Sequence, residues 1–568
     1  MKVSQPNPIV DFITSGGSGQ LTFIVPVFQR TYSWQKENCL KLFNDVINGI
    51  PDENCNIKKE HYFGNIVYDG SEHDPFTNYT KYVLIDGQQR ITSTMLLLAA
   101  IRDEEKNETA KKCLESTYLK NSNTPEELKL KLRTEVDREA YFKIVNNDLT
   151  NINEDSLIYT NYLYFRELVH KAKKTYSSEK LILGLRSLQV ILIDLESRLP
   201  GAESPQVIFE SLYATVIPLT DTDLLRNFLI YHISPDKQEL YYKEYWLKVE
   251  QNIPNERMPD FLRRYLIMRL GKEVKLEVEY KTFTENYENL FENGLEALKE
   301  LRKYSEYYKW LKNPETLPLK LQKTASLLRE ANLLKLTSAT PLFLYLLNEL
   351  ENDPAEINAT IRIILDWSFR ARISNIIDSG EIVNLLTSGI LDIIKAKTSK
   401  ERLSQYLKFE LSNFRARDIY ASDKDFEEAF SRFNFYKNYT RYVQEKLAES
   451  FSNDTHLVLE TVEHILPKSF DPKKWPDISE VNHAKFVDRI GNLVPMNKKD
   501  NVSNANSGLD KKEVNLEKSD WLITREAGKY KIDGKWTTES IENRSRDLAK
   551  KAVEIWSGPI KRTRPLEE

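Results

Sequence analysis

The rhythm of hydrophobic and polar positions changes three times along the chain. Over residues 20–100, short apolar runs alternate with turn signals. Residues 21–27 and 82–85 read as strands, and Asp86-Gly87 reads as a turn. Residues 91–101 read as a buried helix, being long, apolar and free of Gly and Pro. Residues 189–195 supply another strand candidate, and 205–212 and 223–232 read as helices. From about residue 238 to 446 the spacing of Leu, Tyr and Ile becomes helical, most clearly over 258–270, 287–311 and 341–350. Loops are expected near Asn313-Pro314 and Asp353-Pro354. This middle stretch reads as a scaffold or spacer. Beyond about residue 450 the strand pattern returns. Residues 456–462 alternate toward Glu463-His464, Ser479 caps a helix running to about Ile490, 491–496 form a strand or turn, and 521–556 are mostly helical. The expectation is an α+β multidomain chain: an α/β domain over 1–237, a helical connector over 238–449 and a C-terminal domain over 450–568.

Composition adds constraints. With 40% apolar and 29% charged residues in 568, the chain reads as soluble and globular. Its longest apolar run, 95–101, falls far short of the roughly 20 residues of a membrane span. The N-terminus lacks the apolar stretch of a secretory signal. Cys39, Cys55 and Cys113 form no CxxC pair, which argues against a disulfide framework or a cysteine zinc site. The expected location is therefore the cytoplasm, with no membrane partner. The 81 Lys+Arg against 85 Asp+Glu give a net charge of −4. That balance removes the simplest argument for a nucleic-acid partner, a strongly basic chain.

Two constellations supply candidate chemistry. The C-terminal one is Glu463-His464-Ile465-Leu466-Pro467, then Gly491-Asn492-Leu493, then Asn501. A histidine titrating near 6.5 suits a general base at neutral pH. A carboxylate and an amide oxygen are hard ligands suited to Mg²⁺. His464 alone would read as an ordinary histidine near a strand end. The joint pattern resembles the HNH, or ββα-metal, nuclease motif. That resemblance implies His464 as general base, Asn492 as the residue that holds the ββα loop, and Glu463 and Asn501 as metal ligands. It also implies products with a 5′-phosphate and a 3′-hydroxyl. The cysteine pairs that hold a structural zinc in many such proteins are absent near Asn497 and Asp500, so no zinc is implied. Asn504, Asn506, Lys511 and Lys512 either contact phosphates or form a solvated loop. Lys498 and Lys499 are further places to seek positive charge. His483 reads as structural.

The N-terminal constellation is Pro26-Val27-Phe28-Gln29-Arg30-Thr31-Tyr32-Ser33-Trp34, followed by Asp86-Gly87-Gln88-Gln89-Arg90-Ile91-Thr92. The second part is a strand, a glycine turn and a helix start, a geometry that suits phosphate. Arg90 would add a charged donor; alternatively it pairs with a neighbour and Gly87 serves the turn alone. No Walker A frame is present, and the Gly16-Gly17-Ser18-Gly19 stretch reads as a flexible loop. Together these segments resemble the N-terminal domain of the GmrSD family of type IV, modification-dependent restriction endonucleases, and through it the ParB/sulfiredoxin fold. The resemblance implies that Asp86, Gly87, Gln88, Gln89, Arg90 and Thr92 handle a nucleotide and its metal. It places Gln29 and Arg30 in the same cleft or in a sensor for modified DNA.

A third stretch, Ile208-Phe209-Glu210-Ser211-Leu212 with Asp223-Leu224-Leu225-Arg226-Asn227, is similar to a third motif of that family. Tyr213 and Val216 stand where Asn and Gly are usual, and a β-branched residue is costly at positive φ. Arg226 and Asn227 are candidates either for the nucleotide cleft or for helix packing. Taken together, the resemblance implies a nucleotide-regulated endonuclease of antiphage defence, dependent on Mg²⁺ (or Mn²⁺/Ca²⁺). It would act on double-stranded modified DNA, take a nucleoside triphosphate as regulator or substrate, and have a homodimer as an open alternative. The competing reading is a nucleotide-binding, DNA-binding regulatory protein whose nuclease has decayed.

Overall fold

The computed structural model describes residues 2–14, 20–26, 29, 31–51, 60–74, 79–121, 127–195, 220–414, 418–435, 439–451 and 458–560. Two compact units emerge. The first comprises residues 1–250 with 291–299, the second 251–290 with 300–568. The class is mixed α and β, with helices in the majority.

A seven-stranded mixed sheet organises the first unit. Its strands are β1 (Lys2–Val3), β2 (Asn7–Pro8), β3 (Gln20–Ile24), β4 (His61–Asp74), β5 (Tyr79–Asp86), β6 (Leu130–Lys131) and β7 (Leu188–Asp194). The order is β1-β7-β4-β5-β3-β6, with β2 also on β7. The pairs β3–β5, β3–β6 and β4–β7 are parallel, and β4–β5 is antiparallel. The expected strands at 21–27, 82–85 and 189–195 correspond to β3, β5 and β7, although β3 ends at Ile24, β7 ends at Asp194 and Val27 lies outside the described residues. The long central β4 was not anticipated. Its sequence includes Gly64 and Gly70, and its register shifts where it pairs with β5 and β7. The apolar run at 91–101 lies in the helix Gln88–Asp103, buried at every position except Arg90 and Asp103. A helix apolar all round must be covered all round. Leu97 and Ala100 belong to the core it shares with Phe165 and Val169 of the helix Leu157–Ala172.

The second unit is mostly helical. The helix Met258–Leu270 matches the expected bounds. The stretch read as helical over 287–311 is two helices, Glu279–Leu290 and Gly294–Lys312. The loop expected near Asp353-Pro354 is the short turn over residues 350–353, and this dipeptide starts the helix that follows, Pro354–Ser374. Asp353 accepts from the Glu356 N–H, and Pro354 takes the first helical position, where its missing N–H costs nothing. Asn313-Pro314 opens a single 3₁₀ turn, Pro314–Thr316.

The C-terminal part of this unit holds a two-stranded antiparallel sheet, β8 (Thr461–His464) and β9 (Leu493–Met496). Strand structure begins only at Thr461; residues 456 and 457 of the expected strand lie outside the described residues. Ser479 caps a helix as expected, but that helix ends at Phe486, because residues 490–492 turn into β9. The expected helix over 521–556 divides into Leu522–Arg525, a 3₁₀ segment Glu526–Tyr530 and the long helix Thr538–Ile555. Residues 205–212, the positions Tyr213 and Val216, the 16–19 loop and the basic tail from 561 lie outside the described residues. Among the described residues no helix is long and apolar enough to cross a membrane.

An isolated two-stranded sheet is marginal in water. Here it rests on a core of Ile465, Leu466, Trp475, Phe486, Val494 and Trp536. The long helix ends in Trp556, fully buried among Phe369, Phe426, Phe430 and Tyr442. Its carbonyl accepts from Arg370 Nε at 2.9 Å, and its indole N–H donates to Tyr442 at 2.8 Å. Trp556→Ala should remove about 3–5 kcal/mol, the usual cost of truncating a large buried aromatic. A fall in the denaturation midpoint of the second unit checks this.

Candidate nuclease and nucleotide sites

In the C-terminal region β8, β9 and the helix Lys498–Asn504 form a strand–strand–helix unit around Glu463 and His464. Glu463 lies opposite Val494 and His464 opposite Leu493. Successive side chains of a strand face opposite sides, and these two take different partners. His464 Nε2 lies 3.0 Å from Asp488 Oδ1. The Glu463 carboxylate meets the Lys512 ammonium at 2.6 Å, and the same ammonium donates to the His464 carbonyl at 2.6 Å.

Burial pushes the His464 pKa below its ordinary value, and the Asp488 carboxylate pulls it back up. The imidazole is therefore neutral at neutral pH. Asp488 also fixes the proton on Nε2 and so places the lone pair on Nδ1.

Asn492 is fully buried and makes four hydrogen bonds. Its oxygen accepts from the Leu466 N–H at 2.7 Å and the Trp536 indole at 3.1 Å. Its nitrogen donates to the carbonyls of Leu466 at 2.9 Å and Val487 at 2.7 Å. It thus joins the segment after His464 to the segment before Asp488. Gly491 is required by space. A Cβ there would lie 2.1 Å from the Ile541 carbonyl and 2.4 Å from Ser545 Oγ, so the long helix could not approach. Arg544 of that helix is buried and donates to the carbonyls of Gly491 at 2.8 Å and Leu493 at 3.0 Å. Desolvation lowers its pKa to about 10.

Asn501, nine positions after Asn492, returns to β8. Its nitrogen donates to Thr461 Oγ1 at 2.9 Å and the Val462 carbonyl at 3.3 Å. Its side-chain oxygen, the atom a metal would take, is left by those bonds. The donor set of Glu463 and Asn501 therefore fits a hard divalent cation in type, but Lys512 already occupies one oxygen of Glu463. Among the described residues no three His, Cys, Asp or Glu side chains cluster as a metal cage.

Lys512 is neither a phosphate contact nor part of a solvated loop. It is buried because its charge is needed against Glu463. Asn504 is buried too, whereas Lys498, Lys499, Asn506 and Lys511 are exposed. His483 is buried, and its Nε2–H donates to the Pro467 carbonyl at 2.7 Å.

In the first unit β5 ends at Asp86, Gly87 adopts φ 94°, and the helix begins at Gln88. Only glycine takes that φ without strain. Arg90 folds back over Gly87, donating to the Asn65 carbonyl and lying 3.8 Å from Asp86. Gln89 accepts from the Ser33 N–H at 2.9 Å and donates to the Thr31 carbonyl at 3.1 Å. Gln29 donates to the Ile85 carbonyl at 2.6 Å, and Tyr32 meets Ser93 at 2.7 Å. The two motif segments are thereby fastened to one another. Gln29, Gln88, Gln89 and Thr92 are buried, while Asp86 and Arg90 remain partly exposed. Arg30 lies outside the described residues.

Arg226 and Asn227, on the helix Asp221–Tyr231, are buried. Arg226 pairs with Asp223 at 2.5 Å and Glu250 at 2.8 Å. Glu250 also accepts from Tyr242 and Trp246, each at 2.8 Å. Arg133 completes the group, donating to the Gln29 carbonyl at 2.6 Å and to Tyr242. Burial, and then the charge of Arg226, lower the Arg133 pKa. Asp488, Arg133, Tyr242, Trp246 and Glu250 were missed by the sequence reading, and Lys512 was noted there without its pairing to Glu463. Asp488 lies 24 positions from His464, and Arg133 lies 104 from Gln29, so no local signal marks them.

Comparison with known families gives the class first. Residues 9–230 match the family model for the GmrSD restriction endonuclease, N-terminal domain, and residues 420–551 match that for the GmrSD restriction endonucleases, C-terminal domain. With both domains present in this order, the chain belongs to the GmrSD restriction endonuclease family, and its class is that of an endonuclease acting on DNA. The C-terminal match includes the helices Asp423–Arg432 and Thr440–Phe451. No curated protein matches the chain.

Removing one partner of a buried ion pair strands the other. Lys512→Met should therefore cost about 3–5 kcal/mol at neutral pH. Burial already raises the Glu463 pKa, and losing Lys512 raises it further. A raised carboxylate stabilises the fold below its unfolded pKa and loses that contribution as pH rises through the folded value. The gap between variant and wild type should therefore widen from acid toward neutral pH, as thermal melts across pH would show.

Proposed function

We propose that the chain is a nucleotide-regulated, divalent-metal-dependent endonuclease that cuts modified, phage-type double-stranded DNA in antiphage defence. In this reading the C-terminal region is an HNH nuclease, and the N-terminal sheet is a ParB/sulfiredoxin-like nucleotide-binding and DNA-sensing module. One observation carries the nuclease assignment: the His464 imidazole, held by Asp488 at 3.0 Å, inside a strand–strand–helix unit closed by Asn492 and Asn501. His464 takes the proton of the attacking water as oxygen bonds to phosphorus and the bond to the 3′ oxygen breaks. Asp488 keeps the ring oriented, and Asn492 keeps β8 and the Asp488 segment in register. A cation held by Glu463 and Asn501 would, when bound, stabilise charge on the departing 3′ oxygen.

Support for the nucleotide site comes from the Gly87 turn at a helix start, with Asp86 and Arg90 partly exposed beside it. Two buried polar atoms, Nε of Arg133, which bonds the Gln29 carbonyl, and Oδ1 of Asn227, have no hydrogen-bond partner. A bound ligand's polar groups would satisfy them.

The second reading, a nucleotide-binding regulator with a decayed nuclease, is favoured by one observation: Lys512 neutralises the carboxylate proposed for the metal. Incubation with Mg²⁺ or Mn²⁺ on a panel of modified and plain DNAs separates the two. Cleavage of a modified DNA supports the nuclease; no cleavage of any, with nucleotide still bound, supports the regulator.

His464→Ala should abolish cutting while nucleotide binding persists; wild-type cutting by this variant removes His464 as the base. Asp488→Asn should lower the rate about 10–100-fold, the usual cost of losing a partner that orients an active-site histidine. Cleavage rates without nucleotide, with a triphosphate and with a non-hydrolysable analogue should differ. Equal rates in all three would sink the regulatory claim.

A further inference from the structure

A cleft of about 280 Å³ opens between the helices Asp423–Arg432 and Thr538–Ile555, with Arg489 among its lining residues. Four cations and three carboxylates line it. Most of these charges are already spent. Arg432 pairs with Glu428 of its own helix at 2.9 Å, and Arg546 with Glu542 of its own helix at 3.6 Å. Arg489 differs. It is only 9% exposed, its guanidinium lies 4.3 Å over the Phe486 ring, and it makes no side-chain hydrogen bond or ion pair among the described residues.

A guanidinium carries five donors, and those of Arg489, which lines the cleft, meet no side-chain or backbone acceptor among the described residues. Stacking on Phe486 holds the plane of the group but satisfies none of those donors. A fork of donors turned to a cleft fits a phosphate, which arginine recognises bidentately. Glu542 and Arg432 act on Arg489 only at longer range.

Position identifies whose phosphate this is. Arg489 directly follows Asp488, the partner of His464, so their Cα atoms stand about 3.8 Å apart. The Asp488 carbonyl accepts from the Phe435 N–H at 3.0 Å, which ties the loop after the first cleft helix to the same segment. The cleft and the His464 imidazole are therefore built on adjacent residues.

We propose that Arg489 and this cleft bind a backbone phosphate of the DNA strand cut at His464, beside the scissile one. The inference rests on the nuclease reading for the word "cut" and on the cleft alone for the binding. Arg489 is a positioning residue: it holds the strand and touches no reacting atom.

The test uses the full chain in a His464→Ala background, with binding of a fluorescently labelled DNA duplex measured by anisotropy across a series of salt concentrations. Adding Arg489→Gln should weaken binding about tenfold and reduce the slope of log K against log salt by about one, the signature of a single lost phosphate contact. Arg489→Lys should restore most of the slope, since a point charge still pairs with phosphate. Glu542→Gln removes a competing carboxylate from a half-buried position and should tighten binding. A folding defect would not produce that gain. An unchanged slope and affinity in Arg489→Gln, or no tightening in Glu542→Gln, overturns the cleft, as does absence of duplex binding. Binding with the expected slope change but no cleavage by the wild type keeps the cleft and removes the nuclease reading. Cleavage by the wild type with an unchanged slope does the reverse.

Discussion

The C-terminal site depends on one buried amide. Asn492 sits where two segments must meet, the one leaving β8 after His464 and the one entering β9 from Asp488. Strand pairing ends at His464 and Leu493, one further backbone bond runs from the Ile465 N–H to the Asn492 carbonyl, and beyond it a side chain meets the Leu466 and Val487 backbone groups. The Asn492 side chain supplies both an acceptor and a donor to Leu466, and a second donor contact to Val487. A side-chain amide is neutral and offers an acceptor and two donors in one plane. A carboxylate would leave the two carbonyls facing negative charge. A leucine would leave three backbone groups buried without partners, each at a cost of about 1–3 kcal/mol. The His464–Asp488 pair is a consequence of that junction, since the two residues approach only because Asn492 closes it.

Much of the surrounding architecture was legible because it is local. The helix Gln88–Asp103 announces itself by an unbroken apolar run, β5 by alternating strand formers before Asp86-Gly87, and the Ser479 cap by its hydroxyl ahead of a helical stretch. Motif spacing also brought His464, Asn492 and Asn501 into one unit. What was not legible depends on distance along the chain. Glu463 reads as a hard ligand in isolation. Lys512, 49 residues later, turns it into half of a buried ion pair. The strand β4 escaped notice because its glycines and register shifts blur the alternation by which a strand is read.

The N-terminal motifs show how a glutamine-rich sequence can be structural and still define a site. Gln29 and Gln89 spend their amides on backbone groups of opposite motif segments, and Tyr32 bridges to Ser93. These bonds hold the 29–34 segment against the start of the helix that Gly87 opens. Arg133 then ties the same segment, through the Gln29 carbonyl, to Tyr242 and the Glu250 group. The neighbourhood of the glycine turn is thus one hydrogen-bonded body. A ligand that moved any one of these groups would disturb all of them.

Arg544 carries a different kind of consequence. Its guanidinium is bound to carbonyl oxygens behind the Gly491–Leu493 turn, and among the described residues it has no carboxylate within ion-pair distance. Even with its pKa lowered to about 10, it stays charged throughout the neutral range. In a chain whose net charge is −4, this cation is sealed from counterions. Mobile ions screen surface lysines within a Debye length of about 8–10 Å, but they reach an interior charge far less. The turn that carries Asn492 therefore has a permanent positive potential behind it.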